Sequence, residues 1–188
     1  MAEAKLMSKK ETLLGNERGS AHVLLFALLA AVFGVLMFVT SIEWMLQSAN
    51  RTKSKLALDR AAHAAAVHVD RTEAAFGRLA WDEEAGRAEF ERFMRLNFRL
   101  GPDGRPEEGS WLEFPPVVHW LEFVEASAYP ATIRRTVVAH EGETNETTRS
   151  VDVTIYGPSV VAILEVHQRV RGQPEPIVLS SVASVRFR

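Results

Sequence analysis

The stretch AHVLLFALLAAVFGVLMFV, Ala21 to Val39, decides the fold. It carries no Asp, Glu, Lys or Arg. At 1.5 Å per residue a helix of this length covers about 28 Å, close to the ~30 Å hydrocarbon core of a bilayer. In lipid the backbone must satisfy its own hydrogen bonds, so a lone apolar run of this kind is expected to span as a helix. A cleaved secretory signal has a shorter apolar region, about 7 to 15 residues, followed by a small-x-small site. Here TSIEWML, Thr40 to Leu46, continues in helix-compatible sequence instead, and Trp44 stands where an interfacial aromatic belongs. The run therefore reads as a retained anchor. Lys5, Lys9, Lys10 and Arg18 precede it and Arg51, Lys53, Lys55 and Arg60 follow it, so the positive-inside rule sets no orientation.

Outward from the run, no proline occurs before Pro102, and Ser41 to Phe76 is rich in Ala, Leu, Arg, Glu and Lys. These are good helix formers, and one helix is expected from about Ser20 to Phe76. Its apolar stripe, Ile42, Met45, Leu46 and Ala49, lapses at Thr52 and Lys53 and resumes with Leu56, Ala57, Ala61, Ala64 and Ala65. The alanine cluster permits another backbone to approach closely. A second helix is expected over Trp81 to Leu100, with Asp82 as N-cap, Glu83 and Glu84 at the positive end of the dipole, and Arg92, Arg95 and Arg99 at the negative end. Gly101 and Pro102 read as its stop. Phe90, Phe93, Met94 and Leu100 form its apolar face, with Phe98 beside it. A turn near Gly77 would fold this helix back along the outer end of the first.

Beyond Pro102 lie β-type runs at Val117 to Val124, Thr132 to Ala139, Ser150 to Tyr156, Val160 to Val170 and Ile177 to Phe187. His140 to Arg149 reads as an exposed loop and Gly172 to Pro176 as a turn. The expected fold class is α+β: a long N-terminal transmembrane helix, a second helix folded back on it, and one C-terminal antiparallel sheet covered on one face by the helices. The expected divisions are a tail at 1–19, a transmembrane helix at 20–41, a helical region at 42–101 and a β-rich region at 102–188.

Composition excludes several functions. With 22 Lys and Arg against 24 Asp and Glu, and no basic stripe, the chain lacks the footprint of a nucleic-acid binder. The absence of cysteine removes disulfides, thiolate metal sites and thiol nucleophiles. His63 and His68 are five apart, about 140° around a helix, and do not share a face as an i, i+4 pair would. His119, His140 and His167 fall on separate strands or loops. Glu141, Glu143 and Glu146, with Asp152 nearby, match no calcium-ligand loop. No His-Glu-x-x-His, phosphate-cradling glycine loop or Gly-x-Ser-x-Gly elbow occurs. No catalytic, cofactor-binding or metal residue is therefore expected. Ala27, Ala30, Ala31 and Gly34 lie on one face of the apolar helix, where small side chains permit close helix packing.

The pattern NERGSAHVLLFALL, Asn16 to Leu29, resembles the TadE/TadG-like minor pilins of tight-adherence (Flp-type) pili. So does LDRAAHAAA, Leu58 to Ala66. The resemblance implies a bacterial envelope protein, single-pass in the cytoplasmic membrane, N-terminus inside and β-rich region outside, acting without catalysis beside other pilus or envelope proteins. Prepilin peptidase cuts such precursors after a glycine and the mature chain carries glutamate at its fifth position. A cut between Gly19 and Ser20 would put Leu24 there, and a cut after Gly15 would put Ser20 there. That departure favours an uncleaved, TadG-like anchor. The alternative is a single-pass envelope sensor, receptor or binding protein, which the twenty-residue N-terminal tail would leave without an output domain of its own.

Overall fold

The alanine face set out by LDRAAHAAA is the place where helices and sheet meet. In the computed structural model, which describes residues 17–139, 146–170 and 173–185, with side chains from residue 21 onward, the architecture is α+β. The chain divides into two compact units, Met1–Leu46 and Gln47–Arg188. A long helix, α1 (Glu17–Ala66), passes from the first into the second. It is unbroken at Thr52 and Lys53, where Thr52 returns its hydroxyl to the Ser48 carbonyl at 2.9 Å.

The helix stops ten residues short of the expected Phe76. Val67, His68 and Val69 leave helical geometry, and Val69 forms an antiparallel bridge to Trp81. The physical cause is Asp70, whose carboxylate accepts from the backbone N–H groups of Thr72 and Glu73 and starts a separate short helix, α2 (Arg71–Ala75). Gly77 has φ +74° and reverses the chain after α2. The helix α3 (Glu83–Phe98) follows, capped by Asp82 accepting from the Ala85 N–H at 3.1 Å. It ends at Phe98, two residues short of the expected Leu100, and Arg99 after it, not Gly101, takes the left-handed conformation, φ +53°. The Arg99 guanidinium then reaches the Gly109 carbonyl at 3.1 Å, holding the following loop to the helix end.

Five strands follow: β1 (Val117–Val124), β2 (Ala131–Ala139), β3 (Thr147–Ile155), β4 (Ser159–Val170) and β5 (Gln173–Ser184). They form two sheets rather than the expected one. The first has order β1-β4-β5 and the second is the β2-β3 hairpin, all pairings antiparallel. The expected Gly172–Pro176 turn is corrected as well. Pro174 and Pro176 are inside β5, opposite Arg169 and His167. Proline gives no donor to a ladder, and β5 is an edge strand of its sheet, where that loss is tolerated. Of the expected acidic loop, His140 to Asn145 fall outside the described residues, as does Gly172, and β3 already begins at Thr147.

β4 explains why there are two sheets. Its run from Ser159 to Val166 is buried at every position. Val160, Ala162, Leu164 and Val166 face Leu58 and the alanines of α1, together with Phe90, Met94 and Phe98 of α3. Val161 faces the other way, into a cluster with Val153 and Ile155 of the hairpin. The unit Gln47–Arg188 is thus built in three layers, helices, central sheet and hairpin. Each fully buried Leu, Val or Phe contributes on the order of 1.5–3 kcal/mol. The packing is tight at Gly86 of α3, where a Cβ would lie 2.7 Å from the Phe123 ring and 3.1 Å from the Ala65 carbonyl oxygen.

Candidate functional site

Two features remain once the core is accounted for: the apolar part of α1, and a cluster of ionisable side chains on the central sheet.

Every residue from Ala21 to Ser41 is exposed, Leu24 by 70%. The best 18-residue window has a mean hydropathy of 2.8 and none of it is buried, so this helix is long and apolar enough to cross a membrane. Just past the apolar run two hydroxyls turn back onto the helix backbone. Thr40 donates to the carbonyls of Leu36 and Met37 at 3.0 Å, and Ser41 to Met37 at 2.7 Å. Such bonding satisfies a hydroxyl without water, as a position close to hydrocarbon requires. Ala27, Ala30, Ala31 and Gly34 follow the i, i+3, i+4, i+7 spacing of one face, and a Cβ on Gly34 would meet nothing within 4 Å. Gly19 and Ser20 lie in the first turn of α1, where only the backbone is described.

The second feature departs from the expectation that His119 and His167 stand apart. Both converge on Glu165, which is 3% exposed in the middle of β4. His119 Nε2 is 2.7 Å from one carboxylate oxygen and His167 Nε2 is 3.3 Å from the other. An ionised carboxylate only accepts, so in that form Glu165 takes Nε2–H donors from the two rings. The pairing register shows how His119 gets there. Val118 pairs with Leu164 and Trp120 with Ile163, so His119 is an extra residue in β1. The bulge turns its ring to the same face as Glu165. Phe114 packs edge-on against His167, ring centroids 5.6 Å apart. The arrangement satisfies a buried carboxylate. Among the described residues no three His, Cys, Asp or Glu are grouped to hold a metal ion.

Other polar contacts tie layers together. On the hairpin side of the sheet, Arg135 of β2 makes a forked contact with Glu122 of β1, Nη2 to Oε2 at 2.6 Å and Nε to Oε2 at 3.2 Å, with its guanidinium 5.0 Å above the Trp120 ring. On the opposite face of the hairpin, Arg134 holds Asp152 through two 2.8 Å bonds. The Arg134 hydrogen bond keeps the Asp152 carboxyl below its ordinary range. On the helix side, Ser181 Oγ donates to Asp59 and Gln168 Nε2 to the Gln47 carbonyl.

His63 and His68 line one open groove of about 550 Å³ with Leu56, Arg60, Val67 and Phe93. The expected 140° separation does not apply to His68, because α1 ends before it. The Glu165 cluster had a sequence signal that was passed over. A glutamate inside VVAILEV, an otherwise unbroken apolar strand, needs buried partners, and the histidines nearest the strand were the available ones.

The chain matches no protein-family model, no curated protein and no solved structure. What fold and site define is a class: an α+β unit carried on a long apolar helix near the N-terminus, compatible with a single-pass membrane protein.

Proposed function

We propose that this chain is a membrane-anchored, non-enzymatic component of a tight-adherence type pilus assembly system, TadG-like, held in the bacterial cytoplasmic membrane by Ala21 to Val39 with its α+β unit outside. The observation that carries the reading is the contrast along α1. Its first part exposes an unbroken apolar surface, while Ala57, Leu58, Ala61, Ala62, Ala65 and Ala66 are buried in the core of the outer unit. The resemblance of Asn16 to Leu29 and Leu58 to Ala66 to TadE/TadG-like minor pilins supplies the orientation and the assembly role. In this reading the small-residue face at Ala27, Ala30, Ala31 and Gly34 meets other transmembrane helices, and the outer unit meets pilus or envelope proteins.

Three measurements test it. Expression with and without a prepilin peptidase, followed by determination of the N-terminus, is expected to give the same uncut chain; cleavage between Gly19 and Ser20 would convert the anchor into a processed pilin. Protease added outside cells with a permeabilised envelope should digest the β-rich region, and protection of that region reverses the topology. Deletion of the coding sequence in the source bacterium should abolish tight-adherence pili. Normal piliation and adherence in the deletion strain would remove the assembly role and leave the anchored sensor or binding protein as the better reading.

A further inference from the structure

Within the unit Gln47–Arg188 the sheet covers only one side of the helix pair. Ala57, Ala61, Phe90 and Met94 are buried, while on the outer side Leu56 is exposed by 51%, Val67 by 66% and Leu96 by 66%. Half-buried Phe93 lies in the groove between the two helices. A Cβ on Gly86 would lie 3.1 Å from the Ala65 carbonyl oxygen, and Arg60 Nη1 reaches Asn97 Oδ1 at 3.5 Å. Residue numbers therefore fall along α3 as they rise along α1, and the helices run antiparallel. An antiparallel pair with one apolar side in the core and a second apolar groove outside is half of a four-helix bundle.

Charge decides which kind of cover fits. Asp59 and Glu89 line the groove together with Arg60, and Lys55 and Arg92 pair with the two carboxylates. Arg92 is folded onto the face, with its guanidinium 5.0 Å from the centre of the Phe93 ring. A face of one sign would repel its own copy and call for a partner of the opposite sign. A face that mixes both signs meets itself without that penalty, as an isologous contact demands. Area agrees. From Leu56 to Val67 the helix rises about 16 Å, and two helices each ~10 Å across present on the order of 350 Å² in projection. Interlocking side chains roughly double the accessible area lost, to about 700 Å² per copy or ~1,400 Å² in all, inside the range of stable interfaces.

We propose that the outer side of α1 and α3 is where a second copy of this chain docks: two such helix pairs, related by a two-fold axis, close a four-helix core around Leu56, Val67, Phe93 and Leu96. The contact is made by the unit Gln47–Arg188 alone and does not depend on the pilus reading.

The cysteine-free sequence makes a clean test. Two full-length copies with different tags, each carrying His63→Cys in the groove, are co-expressed and treated in cells with a short bismaleimide. The expected product is a band of twice the chain mass that holds both tags. Tyr156→Cys, exposed between β3 and β4, is expected to give none. Leu56→Glu combined with Val67→Glu changes only exposed side chains, so the fold, followed by tryptophan fluorescence, should persist while the two-tag band disappears. Loss of apolar anchors from both copies corresponds to a weakening of about a hundredfold or more. Absence of the two-tag band overturns the inference, and so does a band that joins one tag to a host protein, which gives the groove to another occupant. A two-tag band that survives Leu56→Glu with Val67→Glu also overturns it, since the copies would then associate elsewhere, as through the apolar helix. Equal crosslinking at 63 and 156 overturns it as random collision. Leu96→Glu, on α3, repeats the measurement should the paired substitutions disturb α1.

Discussion

Ser181 Oγ, buried on the helix-facing side of β5, donates a 2.6 Å hydrogen bond to Asp59 on α1, which also accepts from Lys55 one turn earlier. This bond fixes the rotation of α1 about its axis, because it sits among alanines whose methyl groups alone would tolerate small rotations. Ser181→Ala removes the donor but leaves Asp59 its lysine and partial solvent access. The expected cost is therefore at the low end for a bond to a charged group, about 1 kcal/mol. Chemical denaturation of the full chain in detergent, followed by tryptophan fluorescence, measures it. A double-mutant cycle with Asp59→Asn should return most of that cost as coupling.

Gly86 and Gly34 should respond to alanine in opposite ways. At Gly86 the new methyl meets the Phe123 ring, itself held between Trp81 and Arg87, and the Ala65 carbonyl. Overpacking of this kind costs about 1–3 kcal/mol, against a gain of about 1 kcal/mol in helix propensity. Gly86→Ala is expected to be destabilised on balance, with Phe123 displaced. At Gly34 nothing lies within 4 Å, so Gly34→Ala leaves the monomer at least as stable. Any loss it causes should appear in association of the apolar helix with other helices, read by crosslinking in membranes. Loss of monomer stability at Gly34 would mean that the face is already occupied within the chain.

Legibility in the sequence followed the strength of local signals. The apolar helix, the α3 cap at Asp82 and the five strands were readable because each rests on contiguous periodicity or capping chemistry. The end of α1 was missed although its signal was present: Asp70 with Glu73 three residues on is a helix start, and helix-compatible alanines on either side masked it. The split into two sheets was less accessible. An unbroken apolar strand such as Val160 to Leu164 implies cover on both faces, but which strands supply the second layer depends on pairing that no local pattern encodes. The Glu165 cluster needed the bulge at His119, since without that extra residue β1 would present a different side chain to the carboxylate.

Glu165 tests the buried cluster directly. Glu165→Leu leaves two mostly buried imidazoles facing hydrocarbon and is expected to cost about 3 kcal/mol or more, as breaking a buried ionic group does. Glu165→Gln keeps one acceptor oxygen and should cost less. His119→Gln, which retains a donor of similar reach, should be milder still. If all three variants unfold at the wild-type denaturant midpoint, the cluster adds nothing to stability.

Arg135 joins the hairpin to the central sheet by geometry that lysine cannot reproduce, a fork on Glu122 with the guanidinium 5.0 Å from the centre of the Trp120 ring. Arg135→Lys is therefore expected to loosen the hairpin while the helix layer stays intact. Hydrogen exchange should accelerate in β2 and β3 and remain unchanged in α3 and β4. Acceleration throughout would show that the hairpin and the helix layer unfold as one unit.

The pH response of the hairpin follows from Asp152. Hydrogen bonding by Arg134 is the largest influence on its carboxyl and lowers it from the ordinary value, with the Coulomb attraction of the same guanidinium and a bond from Ser150 adding to the shift and partial desolvation opposing it. A depressed carboxyl contributes stability that is present above the unfolded value, near 3.8, and is lost as pH falls through the lower folded value. Both side chains are exposed, so salt screens the pair and the contribution to global stability is slight. The carboxyl itself is the better reporter. In a carbon-detected NMR titration, Arg134→Gln should move the Asp152 midpoint up towards the ordinary range, while Arg135→Lys, whose side chain serves Glu122 on the other face, should leave it in place. An Asp152 midpoint unchanged by Arg134→Gln would mean that the fork is not populated in water, and that β2 and β3 are held together without it.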